Sequence, residues 1–200
     1  MWIRDIGVWG DSITYGVGDR EALGWVGRLR RRVERDHAIS VYNFGVSGDT
    51  SADLVKRFEV ELASINPQLV LIAIGTNDSM FKEGDPSHTR VPIDTYRQHL
   101  RALFTQATKV PHVFALGLTN VEESLVQPVP WSKTKKSYAN RHIDEYDDAL
   151  CEEAISAGVG YIPLHALLAP ADLADGLHPN AVGYEKMYGT IHEAIRHVLG

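Results

Sequence analysis

Near the N-terminus the chain reads Ile6-Gly7-Val8-Trp9-Gly10-Asp11-Ser12-Ile13-Thr14-Tyr15-Gly16. The first part is apolar, too short for a helix and rich in β-branched and aromatic residues, and it stops at Gly10, where small polar residues begin. This pattern predicts a strand that runs into a turn. In a parallel α/β sheet such a turn lies at the carboxyl edge of the strands, where ligands bind. Ser12 is therefore a candidate nucleophile on that edge.

Ser12 also has two interpretations without chemistry. A serine after a strand often caps the helix that follows, and for Ser12 taken alone this is the more frequent role. Hydroxyl and backbone N–H groups in a first strand-to-helix turn also suit a phosphate group. The other motifs of the sequence are needed to decide among these three roles for Ser12.

Length and composition indicate one globular domain over residues 1–200. Hydrophobic residues make up 44% of the chain and charged residues 23%, which is typical of a soluble folded protein. The formal net charge of -6 argues against a nucleic-acid partner, because proteins that bind nucleic acids normally have a basic face. A basic run at Arg28–Arg32 stands beside Glu34 and Asp36, and we interpret it as the solvated face of a helix.

The single cysteine, Cys151, cannot form an internal disulfide, and its helical setting predicts a small core residue. No apolar run approaches membrane-spanning length, and no signal-like segment precedes the first strand. We expect a cytoplasmic protein without stable membrane insertion, although a mature secreted form would read the same. The sequence leaves the oligomeric state open.

Predicted strands and helices alternate along the whole chain. The run Leu69–Ile74 is apolar throughout, as in a strand that is buried on both faces of a parallel sheet. The alternation predicts a three-layer α/β/α sandwich with a five-stranded parallel sheet. The predicted strands are 6–10, 39–44, 69–74, 113–118 and 161–164, and the predicted helices are 21–36, 51–65, 92–108, 137–157 and 181–199.

Two irregular segments interrupt the alternation, at 79–91 and 120–136. Each follows the carboxyl end of a predicted strand, so we expect both to build the walls of a substrate pocket. Trp131 and Tyr138 either line an aromatic wall there or pack the second segment. No large apolar lid is present, which favours short acyl groups over long lipid chains.

Asp175 and His178 are three residues apart in a loop that enters the last helix, so one turn can bring both side chains together. If His178 also faces Ser12, the three side chains form a nucleophile, a base and an orienting acid. Asp172 lies three residues before Asp175, and we interpret it as a surface cap. A metal site made of these two aspartates and His178 would leave Ser12 without a role, so we expect no metal and no cofactor.

Acyl transfer also needs donors for the developing oxyanion. The Gly48 backbone N–H, the Asn77 carboxamide and the Ser12 backbone N–H all follow predicted strands of the same sheet. Each of these residues alone is more typical of an ordinary turn. Their occurrence together, in order and at strand ends, favours the functional interpretation. His165 follows the fifth predicted strand and is a further residue that could face the cleft.

Four segments between Gly10 and Asn180 resemble the four sequence blocks of the SGNH, or GDSL-type, hydrolase family. They are Gly10-Asp11-Ser12-Ile13-Thr14, the loop around Gly48, Gly75-Thr76-Asn77-Asp78 and Asp175-Gly176-Leu177-His178-Pro179. The resemblance implies a flavodoxin-like fold and an esterase, lipase, thioesterase or carbohydrate acetylesterase activity. One departure is Ile13, where the family name has leucine.

By this resemblance Ser12 is the nucleophile, Gly48 and Asn77 are oxyanion donors, and Asp175 and His178 are the acid and the base. The leading hypothesis is thus a metal-independent serine hydrolase that cleaves small carboxylic esters through an acyl-enzyme. The alternative is a flavodoxin-like module that binds a phosphate or nucleotide without catalysis. A binding module has no need of Asp175 and His178 at triad spacing.

Overall fold

The computed structural model describes residues 2–199. The strands are β1 (Asp5–Gly10), β2 (Ser40–Gly45), β3 (Leu69–Ala73), β4 (Phe81–Lys82), β5 (Asp85–Thr89), β6 (His112–Leu116), β7 (Lys136–Ser137) and β8 (Gly160–Ile162). The α-helices are α1 (Ser12–Tyr15), α2 (Gly24–His37), α3 (Ser51–Ile65), α4 (Ile93–Ala107), α5 (Glu123–Val126), α6 (Asn140–Ser156) and α7 (Ala181–Leu199). All predicted strands and helices are present, with ends that differ by a few residues.

Five strands form the central sheet, in the order β2-β1-β3-β6-β8, and all neighbours are parallel. This is the flavodoxin-like order, in which the direction of winding reverses between β1 and β3. Gly10 of β1 is in register with Gly45 of β2 and Ala73 of β3, so the turns after these strands emerge at one edge. The predicted three-layer α/β/α sandwich is confirmed.

Alternate residues of the central strands pack on opposite faces of the sheet. Val8 and Leu71 belong to a core that includes residues of α2 and α7, whereas Trp9 and Ile72 belong to a core with α3, α4 and α6. Both faces of β1 and β3 are therefore covered by helices. That is the reason why their sequences are apolar without a polar alternation.

A second, antiparallel sheet joins the two segments that interrupt the alternation. Phe81 of β4 pairs with Thr89 of β5 on one side and with Ser137 of β7 on the other. The prediction that 79–91 is wholly irregular was wrong. β4 has only two residues, and the five residues of β5 lack apolar side chains that alternate and are mostly exposed, so neither strand shows a hydrophobic period. The small sheet ties the end of the second segment to the first one.

The basic run at 28–32 has a mixed environment. Arg30, Arg31 and Arg32 are exposed, as predicted. Arg28 is only 7% exposed and forms an ion pair of 2.5 Å with Asp19, whose side chain is fully buried. The interpretation as a solvated face was wrong for Arg28, because this side of α2 packs against α7.

Two further predictions concern burial and membrane contact. Cys151 is half-buried on α6 and does not belong to the core, contrary to prediction. Its position on the helix turns it partly toward the surface. Within residues 2–199, none of the helices combines the length and the apolar character that crossing a bilayer requires.

Candidate active site

Ser12 is the first residue of α1, a helix of four residues that follows β1 almost directly. Asp11 caps this helix, since its Oδ1 accepts a hydrogen bond of 2.9 Å from the Ile13 N–H. The turn requires glycine at position 10, because an added Cβ would lie 2.2 Å from Thr14 Oγ1. The tight turn places Ser12 at the sheet edge, buried apart from a small fraction of its surface that lines a cavity.

The structure brings Ser12, Asp175 and His178 together. The distance from Ser12 Oγ to His178 Nε2 is 2.9 Å, and the distance from His178 Nδ1 to Asp175 Oδ2 is 2.7 Å. Asp175 Oδ1 also accepts hydrogen bonds from the backbone N–H groups of Leu177 and His178, over 2.9 Å and 2.7 Å. This local turn accounts for the spacing of three residues between the aspartate and the histidine.

The environment of Asp175 keeps its carboxylate charged. Burial alone would raise the pKa of this group, but hydrogen bonds from the His178 side chain and from backbone N–H groups outweigh burial and lower the pKa. A carboxylate that stays ionised holds the imidazole in one tautomer and stabilises its protonated form. The pair can therefore support proton transfer from the Ser12 hydroxyl.

Gly48 lies in the turn after β2, and its backbone has a φ of +87°, which favours glycine. No atom lies within 4 Å of a Cβ added at this position, and Gly48 is one of the residues that line the cavity. Neither the Gly48 N–H nor the Ser12 N–H donates to a protein acceptor among residues 2–199. Both groups are free to bind an oxygen atom of a substrate.

Asn77 lines the same cavity, but its carboxamide is engaged within the protein. Its Nδ2 donates to the Asp49 carbonyl oxygen over 3.0 Å and to Asp11 Oδ2 over 3.3 Å. Its Oδ1 accepts a hydrogen bond of 3.1 Å from the Tyr138 hydroxyl. Donation to an oxyanion would therefore replace the longer and weaker of the two Nδ2 contacts. Sequence reasoning placed Asn77 at the site and missed these partners.

Two buried carboxyl groups, Asp11 and Asp78, are sequence neighbours of Ser12 and Asn77. Burial raises the pKa of Asp11 to about 6, although the Ile13 N–H and the charge of His178 act in the opposite direction. Burial also raises the pKa of Asp78 to about 7, and hydrogen bonds from Ser51 only partly offset it. The charge of Asp11 also raises the pKa of Asp78. Their burial was not visible in the sequence, since aspartate is usually exposed.

The cavity beside Ser12 has a volume of about 540 Å³, within the range of small-molecule sites. The second irregular segment supplies much of its wall, as predicted, and Trp131 and Tyr138 both line it. The first segment, 79–91, does not line the cavity, contrary to prediction. Its strand β4 pairs with β7, which directly follows the lining segment, and so supports the wall from behind.

Two residues considered in the sequence lie away from this cavity. His165 Nε2 contacts Asp144 over 3.3 Å and does not line the cavity. Asp172 accepts hydrogen bonds from Lys186 and from the Ala169 N–H, and it is buried, so its prediction as a surface cap was wrong on exposure. Among residues 2–199, no cluster of three or more histidine, cysteine or acidic side chains has the geometry for a metal ion.

A serine, a histidine and an aspartate joined by short contacts at the carboxyl edge of a parallel sheet have the geometry that acyl transfer requires. The chain belongs to the GDSL-like lipase/acylhydrolase family, whose family model matches residues 8–186. This membership sets aside the alternative of a phosphate-binding module without catalysis. The enzyme class is thus carboxylic ester hydrolase.

Individual proteins agree with this assignment. An acetylxylan esterase of Geobacillus stearothermophilus is 30% identical over 192 residues, which cover 88% of this chain and 86% of that protein. The esterase TesA of Pseudomonas aeruginosa is 39% identical over 72 residues, and this match spans 36% of each protein. The crystal structure of a lipase/acylhydrolase from Enterococcus faecalis superimposes with a TM-score of 0.78 at 25% identity, over 97% of this chain and 96% of that one.

Proposed function

We propose that this chain hydrolyses small carboxylic esters through an acyl-enzyme on Ser12, with His178 as the general base and Asp175 as the orienting acid. The observation that carries the proposal is the continuous chain of short contacts from Ser12 Oγ through the imidazole to the Asp175 carboxylate. A serine hydroxyl is a weak nucleophile unless an adjacent base accepts its proton. In this chain that base is within hydrogen-bond distance.

In the first half of the reaction, Ser12 Oγ attacks the ester carbonyl carbon while His178 Nε2 accepts the hydroxyl proton. The tetrahedral intermediate collapses, the bond to the alcohol oxygen breaks, and His178 returns the proton to the leaving alcohol. In the second half, a water molecule attacks the acyl group and His178 accepts its proton. Collapse releases the carboxylic acid and returns the proton to Ser12.

The negative charge that develops on the carbonyl oxygen needs preorganised donors. The backbone N–H groups of Ser12 and Gly48 are available, since neither has a protein acceptor among residues 2–199. We assign the third donor to the Asn77 carboxamide, which would exchange its 3.3 Å contact with Asp11 for the oxyanion. A single donor of this kind contributes roughly 3 to 4 kcal/mol to transition-state stabilisation.

The acyl group is proposed to be short, with acetyl as the reference case. The cavity volume of about 540 Å³ has to accommodate both the acyl and the alcohol portion of the ester. Trp131, which is 56% exposed, offers a flat apolar surface at the rim for the alcohol portion. The acetylxylan esterase among the relatives supports an acetyl ester.

The test is a panel of para-nitrophenyl esters from acetate to laurate, together with an acetylated sugar and an acetyl thioester. We expect kcat/KM to be highest for the shortest acyl chains and to fall as the chain grows. The rates should survive exhaustive chelation, because no proposed step uses a metal ion. Absence of hydrolysis throughout the panel would overturn the proposal, and a maximum at laurate would overturn the acyl assignment.

A further inference from the structure

The cavity beside Ser12 has an unusual charge for this chain. Lys133 and Lys136 both line it, and no aspartate or glutamate does. The chain as a whole carries a formal net charge of -6. The charge of the cavity wall, where the charged side chains are cationic, is therefore opposite in sign to that of the chain. Neither lysine takes part in an ion pair with any of residues 2–199.

Local structure directs these two lysines toward the cavity and their neighbour away from it. Lys135, between them, forms an ion pair of 2.7 Å with Glu83 and does not line the cavity. The Lys136 N–H donates to Ser132 Oγ over 3.1 Å, and the Lys136 carbonyl accepts from the Val129 N–H over 2.7 Å. These backbone bonds, together with the pairing of β7 with β4, hold the segment in place.

The acidic groups near the site do not neutralise the lysines. Asp175 is bound to the imidazole of His178, and Asp11 is bound to the carboxamide of Asn77. Neither carboxyl group lines the cavity. A substrate that enters therefore meets ammonium groups without a competing carboxylate on the cavity wall.

We propose that the cavity selects esters that carry an anionic group, a carboxylate or a phosphate, which Lys133 and Lys136 bind. This proposal rests on the proposed ester hydrolysis and names its substrate class. Cationic side chains in a cleft concentrate anionic ligands there, and an ammonium group on a flexible stem binds either anion as a point charge. The anionic group belongs either to the acyl portion or to the alcohol portion of the ester.

The experiment measures kcat/KM for two matched pairs of esters. For charge on the acyl side, the para-nitrophenyl monoester of adipate is compared with para-nitrophenyl hexanoate. For charge on the alcohol side, meta-acetoxybenzoate is compared with meta-acetoxybenzamide. The ratio of anionic to neutral kcat/KM is determined for the wild type, Lys133→Gln, Lys136→Gln and the double variant, with Lys135→Gln as the matched control.

In one of the two pairs we expect each cavity lysine to contribute roughly fivefold to the ratio, the equivalent of about 1 kcal/mol for two charges about 4 Å apart in water. The loss should appear mainly in KM, and Lys135→Gln should leave the ratio unchanged. Sodium chloride at about 0.5 M should lower the wild-type ratio by screening.

The neutral esters separate this proposal from the one on which it rests. Turnover of the neutral esters with a ratio that the double variant leaves unchanged in both pairs would overturn the anion proposal alone. Failure to hydrolyse any neutral or anionic ester would overturn both. A loss of turnover in the double variant that is equal for neutral and anionic esters would also count against charge selection.

Discussion

The Tyr138 hydroxyl donates a hydrogen bond to Asn77 Oδ1 over 3.1 Å, across 61 positions of sequence. Burial raises the pKa of Tyr138, so the phenol stays protonated and remains a donor. Because Oδ1 of the carboxamide is held by this bond, Nδ2 is oriented toward Asp11 and Asp49. The residue that follows β7 thus orients a side chain that we assign to the oxyanion site.

Tyr138→Phe should lower kcat about fivefold with little change in KM. The substitution removes one neutral hydrogen bond, which contributes roughly 1 kcal/mol, and leaves the ring in place. Tyr161→Phe is the matched control, since the Tyr161 hydroxyl donates to Asp147 Oδ2 over 2.8 Å and does not line the cavity. An unchanged kcat in Tyr138→Phe would show that the phenol does not position Asn77.

Asn77→Ala should lower kcat by about 10² to 10³ if the carboxamide donates to the oxyanion. If Asn77 only shapes the turn after β3, the change should cost about 1 kcal/mol of unfolding free energy and leave kcat per folded molecule nearly unchanged. Melting temperature and kinetics on the same preparation distinguish these results. A stable variant with wild-type kcat would remove Asn77 from the oxyanion site.

Ser12→Ala should abolish ester hydrolysis while the fold persists. In a well-studied serine protease, loss of the nucleophile lowers turnover by roughly 10⁶-fold, because the triad acts as a unit. A fluorophosphonate should label the wild type at Ser12 and leave Ser12→Ala unlabelled, as read by mass spectrometry of the peptides. Labelling at another residue would show that Ser12 is not the nucleophile.

Asp78→Asn should change how stability depends on pH. The pKa of Asp78 is raised from 3.8 to about 7 by burial, so the folded state binds this proton more tightly than the unfolded state does. Stability from this group is therefore present at low pH and is lost as the pH rises between about 4 and 7, by an amount on the order of a few kcal/mol. Asp78→Asn should remove that decline in urea-unfolding curves.

The control for this measurement is Asp172→Asn, because the pKa of Asp172 is shifted in the opposite direction. Lys186 lowers the pKa of Asp172, so the contribution of Asp172 to stability is present at neutral pH and is lost as the pH falls. Asp172→Asn should accordingly be destabilising at neutral pH and nearly neutral in acid. Parallel stability curves for Asp78→Asn and the wild type would contradict the raised pKa.

Arg28→Met should destabilise the fold by about 3 to 5 kcal/mol, because it leaves the carboxylate of Asp19 buried without a counter-charge. The Asp19 side chain is fully buried and lies 2.5 Å from the Arg28 guanidinium. Arg31→Met, on the exposed side of the same helix, is the matched control and should change stability little. Adding Asp19→Asn to Arg28→Met should recover part of the loss, as measured by urea unfolding.

The amino-acid sequence was sufficient to predict the order of the main elements and the residues at the sheet edge. The apolar run at Leu69–Ile74 is uniform enough to indicate a strand that is covered on both faces, and the structure has strand β3 at Leu69–Ala73. Asp175 and His178 are close in sequence, so a single turn is sufficient to bring their side chains together. Only Asp11 separates Ser12 from the end of β1, so the position of Ser12 at the carboxyl edge of the sheet follows from local sequence.

Contacts between residues that are distant in sequence could not be predicted and are visible only in the folded chain. Tyr138 contacts Asn77, and Lys136 lines the cavity. Both positions depend on the pairing of β7 with β4, which holds this part of the chain in place. Strands of only two residues have no hydrophobic period, so the sequence did not predict this pairing. Arg28 is buried because α2 packs against α7, which brings Glu185 within 3.0 Å of the guanidinium. A charge pattern along one helix does not specify which other element covers it, and burial depends on that covering element.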